Sequence, residues 1–140
     1  MNIMAYVSQE KKAEIAPVIK ALLKKYNLKG SLSVNHHTSL VLTIKSGEID
    51  FISNVNELAK KDAEWKGRTF YEAKDSIQVN VYWISKHYSG KAQEFLLEAA
   101  EALKGKDYFN HDDVMTDYFH RSHYIDINVG KWNKPYTLVK

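Results

Sequence analysis

The 140-residue chain contains no cysteine. Disulfides, thiolate nucleophiles and cysteine-ligated zinc are therefore excluded, and a reducing compartment, by default the cytoplasm, is expected. Arginine is almost as scarce. Of 20 basic residues only Arg68 and Arg121 carry the planar guanidinium suited to phosphates and base edges, and the net charge is only +3, which disfavours direct DNA readout. No apolar run approaches the roughly 20 residues of a membrane span. The opening MNIMAYVSQEKK also lacks the apolar centre of a signal peptide, so a soluble, unexported chain with no membrane partner is expected. The sequence has no P-loop, dinucleotide fingerprint or nucleophile elbow. It has no internal repeat, linker or low-complexity segment either.

What is present points to an ordinary globular domain. Apolar residues make up 44% and charged residues 26%, values that argue against disorder and against a fibrous repeat. This length supplies one core, so a single domain over residues 1–140 is expected.

From Ser8 to Tyr26 the residues Ile15, Val18, Ile19, Leu22, Leu23 and Tyr26 recur at helical spacing, with Lys20, Lys24 and Lys25 on the remaining face. Pro17 lies inside this pattern and predicts a kinked or two-part helix. SLSVN and SLVLTIK then alternate, placing Leu32, Val34, Leu40, Leu42 and Ile44 on one side of a hairpin whose loop holds Asn35, His36 and His37. After a turn at Ser46 and Gly47, EIDFI reads as a third extended piece, with Ile49 and Phe51 reaching the same core.

Ser53 to Glu64 reads as a short polar helix capped by Ser53 or Asn54, followed by the loop WKGRTFYEAKD with exposed aromatics. SIQVNVYWI alternates as a strand. Gly90 to Leu103 carries the helical stripe Ala92, Phe95, Leu96, Ala99 and Leu103, with Gly105 at the position of a C-terminal cap. Asn110 to Tyr118 suits a short acidic helix, and HYIDINVG is a strand with Ile125, Ile127 and Val129 to one side and Gly130 closing it. Together these elements predict a two-layer α+β domain: an antiparallel or mixed sheet of four to five strands with two main helices on one face. The other face would carry Gln78, Asn80, Tyr82, Tyr124, Asp126 and Asn128.

The segment from Asp107 to Tyr136 is the densest in chemistry. On a helix, Asp113, Asp117 and His120 fall at i, i+4 and i+7, with His111 and His123 close by in sequence. Such a cluster can hold a divalent cation or exchange protons. It is not the H-E-x-x-H pattern, however, and Asp gathers at helix N-termini for electrostatic reasons alone. His36 and His37 are explained by turn polarity, because neighbours in a strand point to opposite sides. His87 and Tyr88 sit on a strand-to-helix connection, where capping by Ser89 accounts for part of the composition.

Aromatic density is the more informative signal. Trp65, Phe70, Tyr82, Trp83, Tyr108, Tyr118, Phe119, Tyr124 and Trp132 add more rings than a small core readily buries. Surface Tyr and Trp anchor protein interfaces or stack on bases, although they also cap sheet ends with a hydrogen-bonded hydroxyl or N–H.

VSQEKKAEIAPVIKALLKKYNLKGSL, the hairpin LVLTIKSGEIDFI, VNVYWI with HYSGKA, and DYFNHDDVMTDYFHRSHYIDINVGKWNKPY together resemble one of the large polyvalent-protein-associated domains carried by tailed phages and other mobile elements. The resemblance spans nearly the whole chain and is most specific at I-x-S-G-x-I-D-F, from Ile44 to Phe51, and at the terminal G-K-W-x-K-P-Y. It implies a phage or mobile-element accessory protein acting in the cytoplasm of a bacterial host, and it transfers no catalytic residue. Such accessory proteins frequently meet host defence or nucleic-acid-processing complexes.

Three functional readings follow. The first is a non-enzymatic protein that binds a host protein and inhibits or modulates it. Its binding surface is the polar sheet face and the segment from Tyr108 to Tyr124, with Tyr82, His111, Asp113, Asp117, Tyr118, Phe119, His120, His123 and Tyr124 as binding residues. The second is a binder of single-stranded nucleic acid or nucleotides, and the third a small metal-dependent enzyme built on His111, Asp113, Asp117 and His120. The first assigns no catalytic residue, metal or cofactor. Edge strands leave a homodimer open.

Overall fold

The computed structural model describes residues 9–36, 38–70, 72–104, 123–131 and 133–139. Helix α1 (Gln9–Lys25) leads into a hairpin of β1 (Leu28–Asn35) and β2 (Ser39–Gly47). Helix α2 (Phe51–Lys66), the short strand β3 (Ile77–Val79), the one-turn helix α3 (Ile84–His87) and the long helix α4 (Gly90–Lys104) follow, and β4 (Tyr124–Val129) and β5 (Thr137–Leu138) close the order. The sheet runs β1-β2-β4-β3, with β5 pairing β2 off that path. It is mixed: β2 is antiparallel to β1 and parallel to β4, and β3 is antiparallel to β4. This is the α+β architecture that the alternating strands and amphipathic helices predict. No described helix is long and apolar enough to cross a membrane.

Register explains the core. Leu32, Leu42, Ile127 and Val79 form one cross-strand row, and Gly30, Ile44, Val129 and Ile77 form another. Leu42, Ile44, Ile127 and Val129 are completely buried. The buried side chains of α1, α3 and α4 join the same cluster, as does Phe51 of α2. At its centre Phe51 packs edge-on against both Phe95 and Tyr136, at centroid distances of 5.9 and 5.7 Å. Each such pair contributes about 1 kcal/mol beyond area burial.

Polar contacts fasten the connections. The Tyr136 hydroxyl donates to the Ile49 carbonyl at 2.7 Å, and burial, then the charge of Asp50, pushes its pKa up to about 12. Asn54 and Ser89 exchange hydrogen bonds of 3.0 and 2.9 Å, tying α2 to the start of α4. Gly130 has φ +70, and a Cβ there would lie 2.6 Å from the Tyr136 backbone nitrogen, so this turn accepts only glycine without strain.

Three sequence expectations are corrected. EIDFI is not a strand: Asp50 accepts the Ser53 N–H at 3.0 Å and caps α2, so Phe51 enters the core as the first residue of a helix. SIQVNVYWI stays extended only to Val79. Asn80 Oδ1 then accepts the Tyr82 N–H at 3.1 Å, and the Asn80 carbonyl accepts the Trp83 N–H at 3.0 Å, a side-chain-stabilised turn that outcompetes continued pairing. Helix α1 runs as one element from Gln9 to Lys25 with Pro17 inside it, because Ile15, Ile19 and Leu23 on its buried face supply packing across the proline. The expected acidic helix at Asn110 to Tyr118 and the cap at Gly105 lie outside the described residues.

Candidate functional site

Alternation places a second set of side chains on the side of the sheet opposite the core. One row runs Ser31, Thr43, Asn128, Gln78; the next Ser33, Val41, Asp126; the third Asn35, Ser39, Tyr124. Ser31, Ser33, Asn35 and Gln78 are exposed, Val41, Asp126 and Asn128 are half-buried, and Thr43 is buried at the centre. The three rows hold hydroxyls, amides, one carboxylate and one phenol, and no cation. Tyr124 is 39% exposed, so a large amphipathic ring stands at the end of a flat polar field. Its backbone N–H donates to the Thr38 carbonyl at 2.8 Å, fixing the base of the side chain.

The structure separates residues that the sequence suggested would act together. Tyr124, Asp126, Asn128 and Gln78 share the polar side, as alternation predicts. Tyr82 does not, because β3 ends before it; it stands in the following turn, 70% exposed. His123 is buried in the interior, 1% exposed, and its Nε2–H donates to the Leu103 carbonyl at 2.8 Å. That carbonyl lies in the last turn of α4, where no intrahelical donor is available, so His123 serves to cap α4. Burial holds its imidazole below the ordinary range; the Leu103 hydrogen bond opposes this shift and Lys11 adds to it. His111, Asp113, Asp117, Tyr118, Phe119 and His120 lie outside the described residues. Among the described residues no group of three or more His, Asp or Glu could hold a metal ion.

A second candidate region has no counterpart among the expected site residues. A cleft of about 720 Å³ opens between α2, the loop after it, and α3. Val55, Leu58 and Ala59 lie along its α2 side, and Phe70 and Trp83 supply two aromatic walls. Lys66, Arg68, Lys86 and His87 add positive or ionisable nitrogen groups, against Asp62. Gly67, at φ 66, ends α2 with its N–H and that of Arg68 directed to the last-turn carbonyls, which turns the chain into the cleft wall. The Asn56 side chain clamps Ala73 with reciprocal hydrogen bonds of 2.8 Å each, holding the far end of that loop to α2. Lys86 Nζ stands 5.0 Å from the Trp83 ring centroid. Sequence reading recognised exposed aromatics in this loop but had no local motif to join them to Trp83, since the cleft is assembled from segments about one element apart.

No family model matches the chain, and neither a curated protein nor a solved structure matches it.

Proposed function

We propose that the protein acts by binding another protein through the polar side of its sheet rather than by catalysing a reaction. The supporting observation is the composition of that side: three cross-strand rows of small hydroxyl and amide side chains around Val41 and Asp126, with Tyr124 39% exposed at the end. Without a cation in these rows a phosphate backbone gains no charge neutralisation there, whereas a protein surface gains hydrogen bonds and an aromatic anchor. The resemblance to phage domains supports a bacterial host protein as the partner, and inhibition or modulation of a defence or nucleic-acid-processing complex as the consequence. Tyr118 and Phe119, which shortly precede β4 in sequence, belong to the same proposal.

The test is affinity capture from a bacterial lysate, identification of the captured protein, and reconstitution of the complex from purified components. Tyr124→Ala and Asp126→Lys should each weaken the reconstituted complex about tenfold or more, as central interface residues do. Lys20→Ala, on the exposed face of α1, should leave it unchanged. Affinity indifferent to both sheet substitutions, or failure to capture any protein specifically, overturns the proposal.

A further inference from the structure

We propose that the cleft between α2 and α3 binds a nucleotide unit, its base against Trp83 and Phe70 and its phosphate against Arg68 and Lys86. This goes beyond the protein-binding role and uses a different surface, so either can fail alone. Three observations carry it. The cleft volume of about 720 Å³ lies within the range of small-molecule sites. Trp83 is 47% exposed despite forming a wall of the cleft, so a ring face is available for stacking. Positive charge is in excess: Asp62 is the one carboxylate among the described lining residues, and it is engaged by Lys66 at 3.2 Å, leaving the charges of Arg68 and Lys86 unbalanced within the cleft.

A second groove shows what this combination excludes. Beside Tyr26 the Lys25 ammonium also stands over an aromatic ring, at 5.3 Å. There, however, Glu48, Glu94 and Glu98 line the space. Lys25 is paired with Glu98 at 3.2 Å, and hydrogen bonds from Tyr26, then Lys25, hold the Glu98 carboxyl below its usual range. That groove repels anions while the α2–α3 cleft attracts them. An acidic peptide would satisfy the same cations but would leave two aromatic walls with no planar group to stack on. A base with its phosphate uses both features, as in single-strand and nucleotide sites that pair aromatic platforms with basic side chains. Arg68 supplies the forked donor suited to phosphate, and Lys86 can move from the Trp83 ring to a phosphate oxygen as the base takes its place.

Calorimetric titration of the full chain with AMP, a short oligothymidylate, inorganic phosphate and a Glu/Leu peptide tests this. AMP, the oligothymidylate or both should bind saturably. Trp83→Ala and the double variant Arg68→Ala/Lys86→Ala should each weaken binding about tenfold or more, Trp83→Phe should retain most of it, and Tyr26→Ala should not change it. Affinity should fall as salt rises from roughly 50 to 200 mM. Binding of AMP alone identifies a free nucleotide as the source, and much tighter binding of the oligothymidylate identifies a strand. The proposal is overturned if neither nucleotide probe binds in the millimolar range, if phosphate alone binds as well as AMP, if the peptide binds more tightly than both nucleotide probes, or if the Arg68→Ala/Lys86→Ala variant binds as the parent does. Should Trp83→Ala fail to fold, Trp83→Phe and the exposed charge variant still decide the outcome.

Discussion

Along β2 successive residues meet opposite environments: Leu40, Leu42 and Ile44 are sealed in the core, while Ser39, Val41 and Lys45 on the alternate positions retain solvent contact. The same division crosses the sheet, from Leu32 beside Ser33 to Ile127 beside Asn128. One side is fixed by packing with the helices. Folding needs the other side only to remain polar, so the placement of Tyr124 and Asp126 there is open to selection by a partner.

The largest contrast should come from truncation on either side of this division. Leu42→Ala or Ile127→Ala should cost about 2–5 kcal/mol in urea unfolding, because each removes buried volume from a close-packed row. Ser33→Ala and Gln78→Ala, on exposed positions, should change stability by less than about 0.5 kcal/mol. Similar costs on both sides would show that the polar side is also packed. The turn joining the two descriptions is next in size. Gly130→Ala should destabilise by about 2 kcal/mol or more, from the left-handed backbone and the 2.6 Å approach to Tyr136. Gly67→Ala, at a similar φ but with no atom within 4 Å, should cost about 1 kcal/mol. Equal effects at the two glycines would remove the steric part of this account.

A pH series sharpens the comparison at His123, the core-side neighbour of Tyr124. Its folded-state pKa lies below the ordinary 6.5. Above pH 6.5 the ring is neutral in both folded and unfolded chains, so its protonation costs nothing. As pH falls below 6.5 the unfolded chain binds the proton first, and stability is lost progressively toward the lower folded-state pKa. The urea midpoint should therefore drop on acidification through this window, and His123→Gln should flatten that part of the slope. An unchanged slope would mean that the ring is not held neutral by burial.

Much of the core was readable in the sequence, because Leu40, Leu42 and Ile44, Ile125, Ile127 and Val129, and the α4 stripe around Phe95 each repeat long enough to define a period. Ile49 and Phe51 supply only two members of an alternation. Asp50 between them, three residues before Ser53, was the signal of a helix start. Val79, Val81 and Trp83 continue a strand pattern, but the Asn80 side chain competes for the backbone and ends pairing.

Site residues divide in the same way. His123 shares parity with Ile125 and Ile127, so β4's alternation already placed it on the core side, while Tyr124 shares parity with Asp126. The cleft was not readable, because Arg68, Phe70 and Trp83 are joined only by the end of α2, the Asn56–Ala73 clamp and the turn at Asn80.

The central claim is that the side of the sheet dispensable for folding is the one that binds. It is tested most directly by measuring, for Tyr124→Ala, both the urea midpoint and the dissociation constant of the reconstituted partner complex. A midpoint within about 0.5 kcal/mol of the parent together with an affinity loss of about tenfold or more is the predicted result. An unchanged affinity, or a loss of affinity that only tracks a loss of stability, would contradict it.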